Sequence, residues 1–277
     1  MPQASATAST GLAAEGVSIA YGRTVVVEDL DLAVPPHAFT ALIGSNGSGK
    51  STILKMLGGL LSPRAGRVLL DGRPMTGLTT KEVARGVGML AQGPAAPEGL
   101  TVLDLVRQGR YPHLSLFGRT SERDDMACAE ALALTGMSEL AGRPLDSLSG
   151  GQRQRAWIAM TLAQETPILL LDEPTTFLDL AHQIEVMELV SRLVRERGKT
   201  VVAVLHDLNQ AARYADHIVL LKAGTVVAAG RPEDVVTAEW IAEVFAVAVR
   251  VMPDPLTATP MCIPLPLYHR HHSSADG

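Results

Sequence analysis

The chain contains only two cysteines, few aromatic residues and no long apolar run. Cys128 and Cys262 lie far apart in the 277-residue sequence and form no paired spacing, which argues against both a disulfide framework and a zinc site. No apolar run approaches the ~18 to 20 residues that cross a bilayer, and the first residues lack the charged and apolar regions of a secretion signal. We therefore expect a globular protein of a reducing compartment, without a membrane span.

An excess of basic residues is also missing. The formal net charge is -5 and the isoelectric point is about 5.9, so no general basic field is available to hold a phosphate backbone. We therefore expect no nucleic-acid partner. Hydrophobic residues make up 47% of the chain, which is enough to build a substantial core.

One segment carries a strong chemical signal. The residues Gly44–Ser51 read Gly-Ser-Asn-Gly-Ser-Gly-Lys-Ser and fit the phosphate-loop pattern. An apolar run at 39–43 predicts a strand before it, and the pattern at 52–57 predicts a helix after it. The glycines at 44, 47 and 49 allow backbone angles closed to other residues and let main-chain N-H groups point at phosphate oxygens. Lys50 supplies a charge and Ser51 a hydroxyl for Mg²⁺. The alternative is a glycine-rich turn with a chance Lys-Ser.

Polar side chains follow three predicted strands. Two acids, Asp172 and Glu173, come directly after the buried run Ile168–Leu171, while Gln92 and His206 follow two other apolar runs. Such residues are often only solvated strand ends. With a phosphate loop upstream, Asp172 near Mg²⁺ and Glu173 polarising a water become the favoured interpretation.

The region from about 93 to 165 reads as mainly helical. Ser121 begins a capping-box pattern, and Ser149 is a plausible N-cap for a helix that starts with two glycines. The pentapeptide Leu148–Gln152, called the signature segment below, is either a helix-start turn or a place where the backbone approaches a ligand.

Strands and helices otherwise alternate, which predicts an α/β fold with a mostly parallel sheet. Ahead of the phosphate loop, residues 17–27 read as a short antiparallel β segment. Tyr21, in this segment, reads from its spacing as a half-buried sheet residue.

Taken together, these motifs resemble those of the ATP-binding-cassette (ABC) ATPases over about residues 16–250. The resemblance rests on the phosphate loop, Gln92, the signature segment, the acid pair, the Leu178-Asp179 loop and His206, in that order. It implies a P-loop NTPase fold with an antiparallel β subdomain and a helical signature subdomain (about 93–165). We divide the chain into a disordered tail (1–14), an ABC ATPase domain (15–250) and a partly disordered C-terminal extension (251–277).

The resemblance also implies a role for each matched residue. Tyr21 would stack on the adenine of ATP, which replaces the plain sheet interpretation. The phosphates would be held by Gly44, Ser45, Asn46, Gly47, Ser48, Gly49, Lys50, Ser51 and Thr52, and Mg²⁺ by Ser51, Gln92 and Asp172. The catalytic set would be Glu173 as general base, His206 at the γ-phosphate and Gln92. A second copy's ATP would meet Ser149, Gly150, Gly151 and Gln152, with Asp179 at the dimer interface. Ser45 stands where many relatives have proline, and we expect little effect from it.

The implied partners are a second copy of the chain, a separate integral membrane permease and, indirectly, an extracytoplasmic substrate-binding protein. The chain would work at the cytoplasmic face of the membrane as a peripheral subunit. Tyr111 and Phe117 lie in an aromatic segment that is either a permease contact or a locally buried loop. The residues Gly109–His113 and Thr175–Gln183 look like the importers of ferric siderophores, with haem and vitamin B12 importers as relatives.

Three alternatives stay open. An exporter is possible within transport, although the separate ATPase chain leans against it. A non-transport ABC ATPase would usually show a second cassette, a long coiled-coil insertion or zinc-binding cysteines, and a regulatory module without turnover would lack Glu173 or His206.

The histidines at 269–272 suit either a transition metal or a solvated tail.

Overall fold

A computed structural model describes residues 11–93, 98–114 and 120–266 of the chain. The strands of these residues are β1 (Leu12–Tyr21), β2 (Thr24–Ala33), β3 (Phe39–Gly44), β4 (Ala65–Leu70), β5 (Arg73–Pro74), β6 (Val87–Leu90), β7 (Ile168–Asp172), β8 (Thr200–Val204), β9 (His217–Lys222), β10 (Thr225–Gly230), β11 (Val249–Pro253) and β12 (Pro260–Pro264). The helices are α1 (Lys50–Leu57), α2 (Thr80–Gly86), α3 (Val102–Gln108), α4 (Glu122–Leu134), α5 (Gly150–Ala163), α6 (Leu180–Arg197), α7 (Leu208–Tyr214), α8 (Pro232–Val235) and α9 (Ala238–Phe245).

The central sheet has the strand order β10-β9-β3-β8-β7-β6. Five of its strands run parallel, and β10 adds an antiparallel edge. Alternate residues of β7 pack into two different apolar clusters. Leu169 and Leu171 belong to one cluster, and Ile168 and Leu170 belong to the other. Because both faces are covered, the strand reads as an unbroken apolar run in the sequence. The predicted α/β fold with a mostly parallel sheet is confirmed.

A smaller antiparallel sheet has the order β2-β1-β4-β5. Its apolar face packs on α1, whose Ile53, Leu54 and Met56 are fully buried in the same cluster. The other face of α1 meets β7 and β8 of the central sheet. The helix that follows the phosphate loop is therefore fixed between two sheets.

The helical subdomain contains α3, α4 and α5, which pack on one another. Capping boxes begin α4 at Ser121 and α5 at Ser149, so both predicted caps are confirmed. Arg110 lies almost completely buried in this subdomain, where its guanidinium donates to Asp124 at 2.8 Å and to Glu165 at 2.8 Å. The hydrogen bonds from Ser121, with help from Arg110, lower the pKa of Asp124 to about 2.

Two boundaries and one helix differ from the sequence prediction. The tail predicted for residues 1–14 is wrong at its end, because β1 begins at Leu12, a residue that is 1% exposed and pairs with Leu70 of β4. The hairpin of β11 and β12 crosses the boundary placed after Arg250, and Cys262 bonds it to Asn209 of α7. Helix α2 precedes β6, in a segment where we predicted no helix. Phe117 and the histidines at 269–272 lie outside the described residues.

Within the described ranges, no helix combines the length and the apolar character that a bilayer span requires.

The buried charge pair gives a test of stability. We expect Asp124→Asn to destabilise the protein by about 3 kcal/mol at pH 7, since it breaks a buried ion pair and leaves Arg110 with less compensation. The folded-state pKa of Asp124 lies below its ordinary 3.8, so this stabilisation is complete above pH 3.8 and is lost as the pH falls through about 2. Urea unfolding of both proteins between pH 7 and pH 2 measures the difference.

Asp125→Asn is the matched control. Asp125 pairs with Arg107 across 3.3 Å, but both side chains are about half exposed, and such surface pairs contribute at most about 1 kcal/mol. Equal losses of stability in the two variants at pH 7 would contradict the assignment of Asp124 as a buried structural charge.

Candidate functional site

The phosphate loop depends on glycine for two different reasons. Gly47 and Gly49 have φ angles of 78° and 92°, in the left-handed region that favours glycine. Gly44 has no positive φ, but a Cβ there would lie 2.2 Å from the carbonyl oxygen of Leu221 and 2.7 Å from Ser48 Oγ. The prediction that Gly44 supplies an unusual backbone angle is therefore wrong; it permits a close approach between β3 and β9.

Lys50 begins α1 and is 6% exposed. Its Nζ donates to the carbonyl oxygens of Gly44 and Ser45, each at 2.9 Å, so the ammonium lies over the loop itself. Burial lowers the pKa of Lys50, and the charges of Glu173 and Asp172 oppose that shift. The cation is therefore held among acceptors that an incoming phosphate can replace.

Ser51 and Asp172 meet across the end of β7. Ser51 Oγ donates to Asp172 Oδ1 at 2.8 Å, while Asp172 Oδ2 is buried with no hydrogen-bond partner among the described residues. Burial raises the pKa of Asp172, and the bond from Ser51 opposes that shift. An unpaired carboxylate oxygen beside a hydroxyl suits the oxygen ligation that Mg²⁺ prefers, so these residues fit that ion.

Glu173 is the most heavily bonded side chain of the site. Its Oε2 accepts hydrogen bonds from Gln92 Nε2 at 2.6 Å and from Thr176 Oγ1 at 2.9 Å, and its Oε1 lies 2.7 Å from His206 Nε2. Its φ angle of 53° is uncommon for a residue with a side chain and marks local backbone strain. The structure thus brings together the three residues predicted to be catalytic, Gln92, Glu173 and His206.

Glu173 and His206 border one open cleft of about 310 Å³ together with the phosphate loop. Its lining is Val26, Asn46, Gly47, Gly49, Lys50, Ser51, Thr52, Glu173 and His206. The N-terminus of the eight-residue helix α1 and the Lys50 ammonium make one wall suited to anions, and the Glu173 carboxylate faces it. The arrangement can hold a polyphosphate and present a carboxylate to a water beside it.

Several predicted residues lie away from this cleft. Tyr21 is 50% exposed at the end of β1, and its stacking on adenine stays a prediction. The signature residues Ser149 and Gly150 are exposed at the start of α5, and Asp179 is exposed as the N-cap of α6. None of these is part of the cleft lining among the described residues.

Sequence reasoning missed two residues of the site. Val26 borders the cleft because the β1-β2 hairpin passes beside the phosphate loop, where Val26 O would lie 3.4 Å from a Cβ at Gly49. Thr176 bonds Glu173 from the turn that follows β7. The sequence signal for Thr176 is a hydroxyl residue three positions after Glu173, within reach across one turn. The position of Val26 depends on packing between the two sheets.

The fold and this cleft define an ATP-binding and ATP-hydrolysing protein of the ABC class. Comparison with known families agrees, because residues 27–176 match the ABC transporter family. The chain belongs to this family and is an ABC-type ATPase.

Individual relatives are more specific. The chain is 51% identical over 255 residues to the probable siderophore transport system ATP-binding protein YusV of Bacillus subtilis (strain 168), covering 92% of this chain and 93% of that one. It is 50% identical over 254 residues to the ferric enterobactin transport ATP-binding protein FepC of Escherichia coli (strain K12), covering 92% and 94%. A solved dimeric ATP-binding cassette in a post-hydrolysis state, bound to ADP and Pi, superposes with a TM-score of 0.69 at 32% identity over 79% of this chain and 98% of that one.

The close approach of Leu221 and Ser48 to Gly44 predicts the effect of adding one methyl group at this position. We expect Gly44→Ala to destabilise the fold by at least about 2 kcal/mol and to weaken ATP binding, because the new Cβ displaces either Leu221 or Ser48. Urea unfolding and titration with a fluorescent ATP analogue measure the two effects.

Gly142→Ala is the control, since Gly142 is exposed, has no positive φ, and an added Cβ meets nothing within 4 Å among the described residues. Wild-type stability and affinity in Gly44→Ala would contradict the close approach.

Proposed function

We propose that the chain is the ATP-hydrolysing subunit of an importer of ferric siderophore-type iron chelates. It works as a homodimer on the cytoplasmic face of the membrane, where ATP binding and hydrolysis drive a separate permease. The observation that carries the catalytic half of this proposal is the Glu173 carboxylate, held by Gln92 and His206 beside the phosphate cleft.

Glu173 orients the attacking water and accepts its proton. Its side chain is only 12% exposed, and the contacts from Gln92, Thr176 and His206 restrict its carboxylate to one position. His206, which is about half exposed, lies at the mouth of the cleft, within reach of a γ-phosphate. Lys50 and the N-H groups of the loop bind the outer phosphates and stabilise the charge that develops on them.

Mg²⁺ is part of the proposal. Ser51 and the unpaired oxygen of Asp172 would hold it, and the amide oxygen of Gln92 is a further candidate because its nitrogen is occupied by Glu173. The ion would neutralise phosphate charge.

The exposed signature segment supports a dimer. Ser149 and Gly150 present a helix N-terminus to solvent, away from the cleft lining of their own chain. In a two-fold dimer, each signature segment would complete the ATP site of the partner copy, with Asp179 at the same interface. The dimeric cassette described above supports this arrangement.

A second cavity supports a permease contact. About 390 Å³ of mostly apolar space lies between the end of α1, the helix α2 and the strand β6, which leads to Gln92. Tyr111, 68% exposed, lies on the neighbouring segment, which Arg85 Nε joins to α2 by a hydrogen bond to the Pro112 carbonyl at 3.0 Å. An apolar permease segment seated here would act on Gln92 through β6.

The cargo is inferred from relatives, because none of the residues above would touch it. Both curated relatives named above serve siderophore or ferric enterobactin transport, and each matches more than nine-tenths of its own length. An extracytoplasmic binding protein would deliver the chelate to the permease.

Removing the Glu173 charge tests the catalytic assignment. We expect Glu173→Gln to bind ATP, to accumulate as a dimer in gel filtration and to lose at least about a hundredfold in turnover, the usual contribution of a general base. Glu196→Gln, at an exposed position of α6, should behave like the wild type. Normal turnover by Glu173→Gln would remove Glu173 from its role.

Uptake of labelled cargo tests the transport assignment. Cells that carry Glu173→Gln in place of the wild-type chain should lose uptake of a radiolabelled ferric siderophore, while haem and vitamin B12 uptake stays unchanged. Loss of haem or vitamin B12 uptake instead would reassign the cargo. Unchanged uptake of all three would contradict the import proposal.

A further inference from the structure

The backbone of the signature segment is in close contact with a histidine of α6, His182. A Cβ on Gly151 would lie 2.2 Å from His182 Cδ2 and 2.5 Å from His182 Cγ, so the imidazole lies directly on the main chain of Gly151. Gly150 differs from it, because a Cβ there meets nothing within 4 Å in the described part of the chain. The two signature glycines therefore face different surroundings.

The imidazole is held in place from its other side. His182 Nδ1 lies 2.6 Å from Asp179 Oδ1, and the backbone N-H of His182 donates to the same oxygen at 3.0 Å as part of the N-cap of α6. These bonds lower the pKa of Asp179, so the acceptor stays an anion. The ring cannot turn away from Gly151 without losing its bond to Asp179.

A second link fixes the same two helices. Arg155 Nη1 lies 3.1 Å from Glu185 Oε2, one turn further along both α5 and α6. The ion pair and the packed ring together join the first two turns of α5 to those of α6.

We propose that His182 is a positioning residue that fixes the signature segment relative to Asp179, and that His182 is the reason why position 151 requires glycine. The inference rests on the proposed function, in which Asp179 and Ser149–Gln152 both face the second copy. A displacement of the Asp179 loop is passed through the imidazole to the start of α5 within one chain. ATP that contacts the signature segment then shifts the Asp179 loop through the imidazole. A shift of the Asp179 loop likewise moves the signature segment.

A rescue experiment on the full-length chain tests this assignment. Gly151→Ala should lower kcat of the ATPase at least about tenfold and lower the unfolding temperature. Adding His182→Ala removes Cγ and Cδ2, the two nearest atoms, so the double variant should recover the unfolding temperature and bring kcat back to the level of His182→Ala alone. His182→Ala alone should lower kcat severalfold with little change in the KM for ATP, and without a change in unfolding temperature that could explain the loss.

Gly150→Ala provides the matched control, since His182→Ala should not rescue it. A double variant no better than Gly151→Ala would overturn the proposal and assign Gly151 to nucleotide contact alone. If Gly151→Ala does not fold, recovery of folded protein in the double variant supports the proposal and its absence overturns it. The rescue experiment and the proposed function can fail independently. The proposed function fails if ATP hydrolysis does not depend on Glu173, whereas the positioning role of His182 fails if the rescue is absent.

Discussion

Four neighbouring parallel strands that end at one edge of the central sheet are the constraint on which the site depends. The strand β3 delivers the phosphate loop, β7 the acid pair, β8 His206 and β6 Gln92. The register aligns Leu90 with Leu171 and Asp172 with Val204, so the strand exits lie side by side. Groups separated by more than a hundred residues in sequence therefore meet without any long loop to position them.

Hydrogen bonds stabilise a strained backbone conformation of Glu173 at this edge of the sheet. Glu173 adopts a left-handed backbone conformation that costs free energy, and contacts from three different segments hold its carboxylate. Asp172 next to it stays in an ordinary strand, buried with one oxygen free. Adjacent carboxylates thus have different surroundings, which supports one role at a metal and another at a water.

Much of this site could be predicted from the sequence, because its motifs are local. The phosphate loop, the caps at Ser121 and Ser149 and the strand before the acid pair each follow from residue types at short spacing. The early start of β1 could not be predicted, since Leu12 is in an alanine-rich and serine-rich stretch and joins a strand only through pairing with Leu70 of β4. The C-terminal hairpin depends in the same way on packing against α7.

Contacts between distant segments account for the rest. Nothing in the local sequence indicates that His182 covers Gly151, or that Val26 borders the phosphate cleft. Gly44 shows the limit of motif reasoning most clearly: the motif identifies the glycine correctly, but the reason for it is the approach of Leu221 from a strand almost 180 residues later.

The central claim is that Asp172 binds the metal while Glu173 activates the attacking water. The position of the metal tests this claim most directly. A crystal structure of the full chain with Mn²⁺ and a non-hydrolysable ATP analogue, measured at the manganese absorption edge, gives the metal position from its anomalous signal. The account predicts a peak in contact with Ser51 and Asp172, with Glu173 facing the terminal phosphate and making no metal contact. A peak bound to Glu173, with Asp172 left out, would contradict it.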